Sequence, residues 1–204
     1  MVSSTIDSST QEKNMAQYEY PLMDVEDYLE LDQNSKHILY EYLDGELRMQ
    51  AGGSLDHSIV IANLTALIKG PLKGGRCRVY NSDAHLQLSE TRYVHPDITV
   101  SCDSRDRGKG RILRYPHLVV EVLSPSTETT DRIKKLAYYQ EHPTIQEYTM
   151  VDSQKLQIEI YHRQGEDWVL HIFRPGSEVK LESLSIHFPI EDVYEGTSLV
   201  YDEP

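Results

Sequence analysis

His117-Leu118-Val119-Val120-Glu121-Val122-Leu123 decides how this chain folds: five aliphatic residues and one acid fall within seven positions. A short run that is apolar on both faces has the pattern of a central strand covered on each side. Side chains alternate along a strand, so Glu121 shares a face with Val119 and Leu123. An ionised carboxylate buried there alone costs several kcal/mol or takes up a proton. Glu121 therefore calls for a partner, either an Arg or Lys side chain or a metal ion.

Working outward, Pro96-Asp97-Ile98-Thr99-Val100 reads as the start of a neighbouring strand, because Pro96 cannot donate to a sheet ladder. Alternation places Asp97 on the face of Thr99, away from Ile98 and Val100. Two acids on adjacent strand ends repel unless a divalent ion sits between them, and hard oxygen ligands suit Mg2+ or Mn2+. Downstream, Ser124-Pro125-Ser126-Thr127 leads to a helix expected from about Thr130-Asp131 to Gln140, with Ile133, Leu136 and Ala137 as its buried edge. Its first turns carry Arg132, Lys134 and Lys135, a charge arrangement that favours a phosphate. Lys135 shares a helical stripe with Asp131, Arg132, Tyr138 and Tyr139.

The remaining chain supplies the frame. Asp24 precedes a short helix. Asp44-Gly45 joins the β-prone runs Ile38–Leu43 and Glu46–Met49 as a hairpin. From Ser54, apolar residues recur at three- and four-residue spacing to Leu72, which predicts a helix ended by Gly70-Pro71. Strands are expected at Cys77–Tyr80, Ala84–Leu88, Asp97–Cys102, Glu147–Val151, Leu156–His162 and Trp168–Phe173. This order gives an α/β (α+β) sheet protein, with a flexible polar tail over residues 1–18 and a single domain over residues 19–204. Cys77 and Cys102 lack metal-ligand spacing and read as small strand hydrophobes. The Ser/Thr-rich start has no secretory pattern, and a cytoplasmic, reducing location is expected.

Together these motifs resemble the PD-(D/E)XK nuclease superfamily, and within it the restriction-endonuclease family abundant in cyanobacteria and long catalogued as a domain of unknown function. The resemblance runs from about Leu22 to His162. It rests on Tyr40-Glu41-Tyr42-Leu43-Asp44-Gly45-Glu46, His57, Tyr80-Asn81-Ser82-Asp83, Pro96-Asp97, Leu118 to Thr127, Asp131-Arg132 with Lys135 and Tyr139, and Glu147-Tyr148 with Val151-Asp152. It implies a restriction-endonuclease-like fold, a mixed central sheet flanked by helices, here with additional C-terminal strands. It also implies an endonuclease that hydrolyses phosphodiester bonds in DNA using Mg2+ or Mn2+. Asp97 and Glu121 match the metal-binding acids, with the Val122 carbonyl as a third ligand. The superfamily's lysine, two residues after the Glu, is Leu123 here, and Lys135 is the best match for a lysine moved to the helix, with Lys134 its neighbour. Glu46 is a candidate additional acid, and His57 a candidate hydrogen-bond partner or proton carrier. A homodimer is expected by the same resemblance. The competing reading is a catalytically silent nucleic-acid-binding or accessory module that keeps the fold. A third, a structural or dimerising protein, draws on the strand-rich segment Leu156 to Phe173.

The chain has 204 residues and a formal net charge of -13, which opposes a generic coat for nucleic acid. No apolar run approaches the length of about 20 residues that a membrane span requires. Between Arg105 and Lys135, however, eight basic residues face four acids, a local +4. The Arg105–Arg114 loop joins the two candidate ligand strands, a place where it could meet phosphates.

Overall fold

A computed structural model describes residues 22–35, 38–50, 52–125 and 131–200. The tail expected over residues 1–18, the Ser126-Thr127 part of the resemblance and the expected helix start at Thr130 lie outside these residues.

Helix α1 spans Val25–Asn34, and the hairpin follows as β1 (Tyr40–Leu43) and β2 (Glu46–Met49). The hairpin turn places Asp44 at φ 52° and Gly45 at φ 96°. Two successive positive φ values are the geometry Asp-Gly supplies at least steric cost. Helix α2 (Leu55–Lys69) starts at Ser54, whose side chain accepts from the His57 backbone N–H, and buries Val60, Leu64 and Ile68. Strands β3 (Arg78–Asn81), β4 (His85–Ser89), β5 (Arg92–Val94), β6 (Ile98–Ser101), β7 (Ile112–Leu113) and β8 (Pro116–Leu123) come next. A π-helical turn at Asp131–Lys135 runs into α3 (Leu136–Glu141), and then come β9 (Glu147–Asp152), β10 (Ile158–Gln164) and β11 (Asp167–Phe173). Strands β12 (Glu178–Leu181) and β13 (Ile186–Pro189) and helix α4 (Ile190–Tyr194) close the described chain.

The central sheet has six strands in the order β11-β10-β9-β8-β6-β3, and β8 pairs parallel with β9 and antiparallel with β6. The fold is thus a mixed α+β sheet structure flanked by helices, as the alternation of patterns predicts. Both faces of β8 are covered. Leu118, Val120 and Val122 pack with α2, β12, β13 and α4, while Val119 and Leu123 pack with Tyr139, Tyr148 and Met150. At roughly 25 cal/mol per Å2 of apolar area, each such aliphatic side chain contributes about 1.5–3 kcal/mol. A five-stranded sheet, β2-β1-β5-β4-β7, covers the second face.

Three expectations are corrected. Cys77 and Cys102 are joined by a disulfide. They stand one position beyond the antiparallel pair Arg78↔Ser101, directly across from each other, a proximity their separation of 25 residues conceals in the sequence. Ile133 is 67% exposed, and the buried edge of its helical segment is instead Asp131, Lys135 and Tyr139, at four-residue spacing. That edge is polar because it packs on Glu121. Finally, the Arg105–Arg114 loop leaves the ends of β6 and β8 remote from Asp97 and Glu121, since the two strands run antiparallel with Ser101↔Pro116 at that end. Arg105 pairs with Asp103, Arg107 donates to the Arg76 carbonyl, and Arg114 donates to Gln87.

Candidate active site

Register brings the two acids together. Ile98 is level with Val120, so Asp97, just before β6, falls level with Glu121. Asp97 Oδ2 accepts from the Val122 N–H at 2.7 Å, which locks the carboxylate against β8. From α2, His57 Nε2–H donates to the Val122 carbonyl at 2.9 Å, and the same nitrogen lies 3.9 Å from Asp97 Oδ2. The ring needs Gly53 beside it, because a Cβ there would stand 2.3 Å from His57 Nδ1.

Glu121 is held from its other side. The Tyr139 hydroxyl donates to its Oε1 at 2.7 Å, and Lys135 Nζ donates to the same oxygen at 3.0 Å. Lys135 Nζ also lies 2.8 Å from Glu41 Oε1 and 3.1 Å from Asp131 Oδ1. The Asp131 oxygen is buried and, among the described residues, out of line for any hydrogen bond. Glu41 further accepts from the His95 backbone N–H at 3.2 Å. All of these side chains are nearly closed to solvent, Lys135 at 5% exposure and Glu121 at 3%.

Three carboxylates therefore contact a single ammonium, and Asp97 is near enough for that charge to act on it. Burial pushes Glu121 well above the usual carboxylate range, and nearby Asp131, Asp97 and Glu41 raise it while Lys135 opposes them. Burial likewise raises Asp97, against the lowering effect of its bond from Val122. Lys135 would be lowered by burial, yet Glu121, Glu41 and Asp131 outweigh that and hold it well above an ordinary lysine. It stays an ammonium. Asp97, Glu121 and the Val122 carbonyl present oxygen donors to one region and are the groups that could hold a hard cation. Access is through a cleft of about 580 Å3 lined by Gln50, Gly53, Ser54, His57, Ser82 and Asp97. A second cleft of about 490 Å3 shares Gly52 to Ser54 and continues to Ser124 and Ser153.

Of the residues singled out in the sequence, Asp97, Glu121, Val122, His57 and Lys135 converge. Glu46 does not: its carboxylate is outside the cluster, bonded to Arg48 at 2.9 Å and Lys134 at 3.1 Å. Lys134 is accordingly turned away as well. The acid contributed by the hairpin is Glu41, which sequence reasoning missed. The signal was present, since Glu41 alternates onto the face of Leu43 and is as misplaced among apolar neighbours as Glu121.

Comparison with known proteins gives the fold and the family. A solved structure of "a putative nuclease belonging to DUF820" from Anabaena variabilis has the same fold, with a TM-score of 0.72 and 21% identity, covering 84% of this chain and 97% of that one. A Synechocystis sp. protein, "Uncharacterized protein slr1290", is 36% identical over 179 residues, which span 87% of this chain and 94% of the relative. A second from the same organism, "Uncharacterized protein sll1609", is 27% identical over 152 residues, covering 72% of this chain and 85% of the relative. With the family model matching residues 25–191, the chain belongs to the Uma2 family, described as "Putative restriction endonuclease".

Proposed function

We propose that this chain is a divalent-metal-dependent endonuclease that hydrolyses phosphodiester bonds in DNA. Asp97, Glu121 and the Val122 carbonyl are the proposed ligands for Mg2+ or Mn2+, with Lys135 in place of the lysine missing at Leu123. One observation carries the reading: three buried carboxylates contact one ammonium and Asp97 lies close enough to feel its charge, a surplus of negative charge that a divalent cation would neutralise. The family's description as a restriction endonuclease supports the same chemistry.

When bound, the ion would polarise a phosphate oxygen and lower the pKa of an attacking water. The chain's own residues prepare the rest. The Asp97 carboxylate is aimed by the Val122 N–H, and the Val122 carbonyl by His57. Tyr139 and Lys135 fix Glu121 through one oxygen. Because Lys135 remains protonated, it serves as a positive charge that orients Glu121 and offsets charge building on the phosphate, and does not act as a base. Substrate enters along the two clefts that meet at Gly52 to Ser54. We further propose that residues 19–204 act as one domain and that two copies assemble to cut two strands. The β11 edge, with Leu170 and Ile172 exposed, is available for that pairing.

The second reading, a silent nucleic-acid-binding module, draws on Leu123, which is buried where the superfamily carries its lysine. Nicking of supercoiled plasmid with Mn2+ separates the two. The nuclease reading expects nicking by the native chain and none by Asp97→Ala or Glu121→Ala. Equal nicking by all three overturns it.

A further inference from the structure

Beside the candidate active site lies a second titratable cluster that the proposed mechanism does not use. Asp32 from α1, His85 from β4 and His95 from the β5–β6 connection are buried, and their ligand atoms all lie within 4.8 Å of one another. His85 Nε2 is 2.9 Å from Asp32 Oδ2, and His95 Nε2 is 4.0 Å from Asp32 Oδ1, so each carboxylate oxygen faces a different imidazole. The rings meet edge to face with centroids 4.1 Å apart.

The hydrogen bonds around the cluster leave nitrogen lone pairs directed inward. His95 Nδ1–H donates to the Ser82 carbonyl at 2.7 Å, which leaves Nε2 as the unprotonated nitrogen facing Asp32. Fixing one ring nitrogen on a backbone carbonyl is how metal-binding histidines are commonly oriented. Among the described residues, His95 Nε2 and both ring nitrogens of His85 are buried with no hydrogen-bond partner, the 2.9 Å approach to Asp32 being out of line. Three orphaned buried nitrogens are a large omission for a folded core, where such groups are nearly always satisfied.

We propose that Asp32, His85 and His95 form a second metal centre for a transition-metal ion of the zinc type, bound through the two imidazole Nε2 atoms and both oxygens of Asp32. Ligands about 2.0–2.1 Å from zinc at tetrahedral angles lie about 3.3 Å apart, and the spacings of 2.9 and 4.0 Å bracket that value. Imidazole suits zinc, whereas the all-oxygen set at Asp97 and Glu121 suits Mg2+ or Mn2+.

The position gives the ion a purpose. It would tie α1 to β4 and to the segment two residues ahead of Asp97. The N–H of His95 donates to Glu41, and Glu41 in turn holds Lys135. The ion would thus brace the groups that hold the proposed nuclease residues, although the inference itself does not rest on the nuclease reading.

The test is visible absorption of Co2+ titrated into the chelator-stripped full chain in excess Mg2+, which competes for all-oxygen ligands. One equivalent of Co2+ should develop the intense bands of a tetrahedral nitrogen-containing site and be displaced by Zn2+. The bands should persist in the double variant Asp97→Asn/Glu121→Gln. In the conservative variant His85→Gln they should vanish, with zinc affinity falling on the order of a hundredfold or more. The proposal is overturned if the wild-type chain shows only weak octahedral bands, if His85→Gln leaves the spectrum unchanged, or if the bands follow Asp97 and Glu121. None of these outcomes bears on plasmid nicking, so this proposal and the nuclease reading fail separately.

Discussion

Replacing Lys135 with methionine keeps the length of the side chain and deletes the charge at the centre of the site. Its Nζ lies 2.8, 3.0 and 3.1 Å from Glu41, Glu121 and Asp131, so the variant leaves three buried carboxylates facing one another. Removing one partner of a buried ion pair costs about 3–5 kcal/mol. For a domain of this size each kcal/mol is about 2–4 °C, so Lys135→Met should melt about 6–20 °C below the wild type without divalent ions. The sign with pH follows from the shifts. Lys135 is raised in the folded state, so its contribution is fully present below the ordinary lysine value and is lost only as pH rises through its higher folded value. Within the assay range it therefore stays charged in the wild type. Glu121, already raised by burial, rises further without it and takes up a proton as pH falls, so the deficit should be largest near pH 8 and shrink toward about pH 5. Thermal melting by circular dichroism at both pH values reads this directly. Adding Glu121→Gln to Lys135→Met should recover about 1 kcal/mol or more, because the second change removes a charge left unpaired by the first. A Lys135→Met chain within about 1 kcal/mol of wild type near pH 8, or a deficit independent of pH, would refute the electrostatic account.

Other expectations follow from the same geometry. Because Glu121 and Asp97 are both raised, the stability of the metal-free chain should fall as pH climbs above the ordinary carboxylate value near 4, and Mn2+ should restore most where the loss is greatest; urea denaturation across pH with and without Mn2+ checks this. Glu46→Gln removes only exposed pairs with Arg48 and Lys134, so plasmid nicking should be unchanged and stability should move by less than about 1 kcal/mol, as a melt and a nicking assay will show. Reducing the disulfide, which closes a sequence separation of 25 residues, should lower stability by about 3.5 kcal/mol in the chain-entropy account, measured as a shift in denaturant midpoint on adding a thiol reductant.

The scaffold of this site was legible because it is written in local patterns. Glu121 inside an aliphatic run, Asp97 after Pro96 and the Ser54 start of α2 each follow from periodicity or capping, and each is where the pattern places it. What escaped depends on side chains meeting across elements distant in sequence. Glu41 and Lys135 are 94 positions apart, and no periodicity relates them. In the helix after β8 apolarity points to the edge of Ile133, whereas the face that packs inward must satisfy Glu121 and so carries Asp131, Lys135 and Tyr139. The Cys77–Cys102 bond and the Asp32, His85 and His95 cluster are hidden for the same reason, since strand pairing brings the cysteines and the two histidines together and the packing of α1 adds Asp32. Short strands β5, β7, β12 and β13 have two to four residues each, too few to show a period.

The central claim is that Asp97, Glu121 and the Val122 carbonyl hold a divalent ion. Its most direct test is a crystal of the chain soaked in Mn2+ and measured for anomalous scattering at the manganese edge. The account predicts a peak about 2.0–2.4 Å from oxygens of Asp97 and Glu121 and from the Val122 carbonyl, with Lys135 still paired to Glu121. A saturated soak with no peak there, or with manganese held by other residues while Lys135 alone neutralises Glu121, would contradict it.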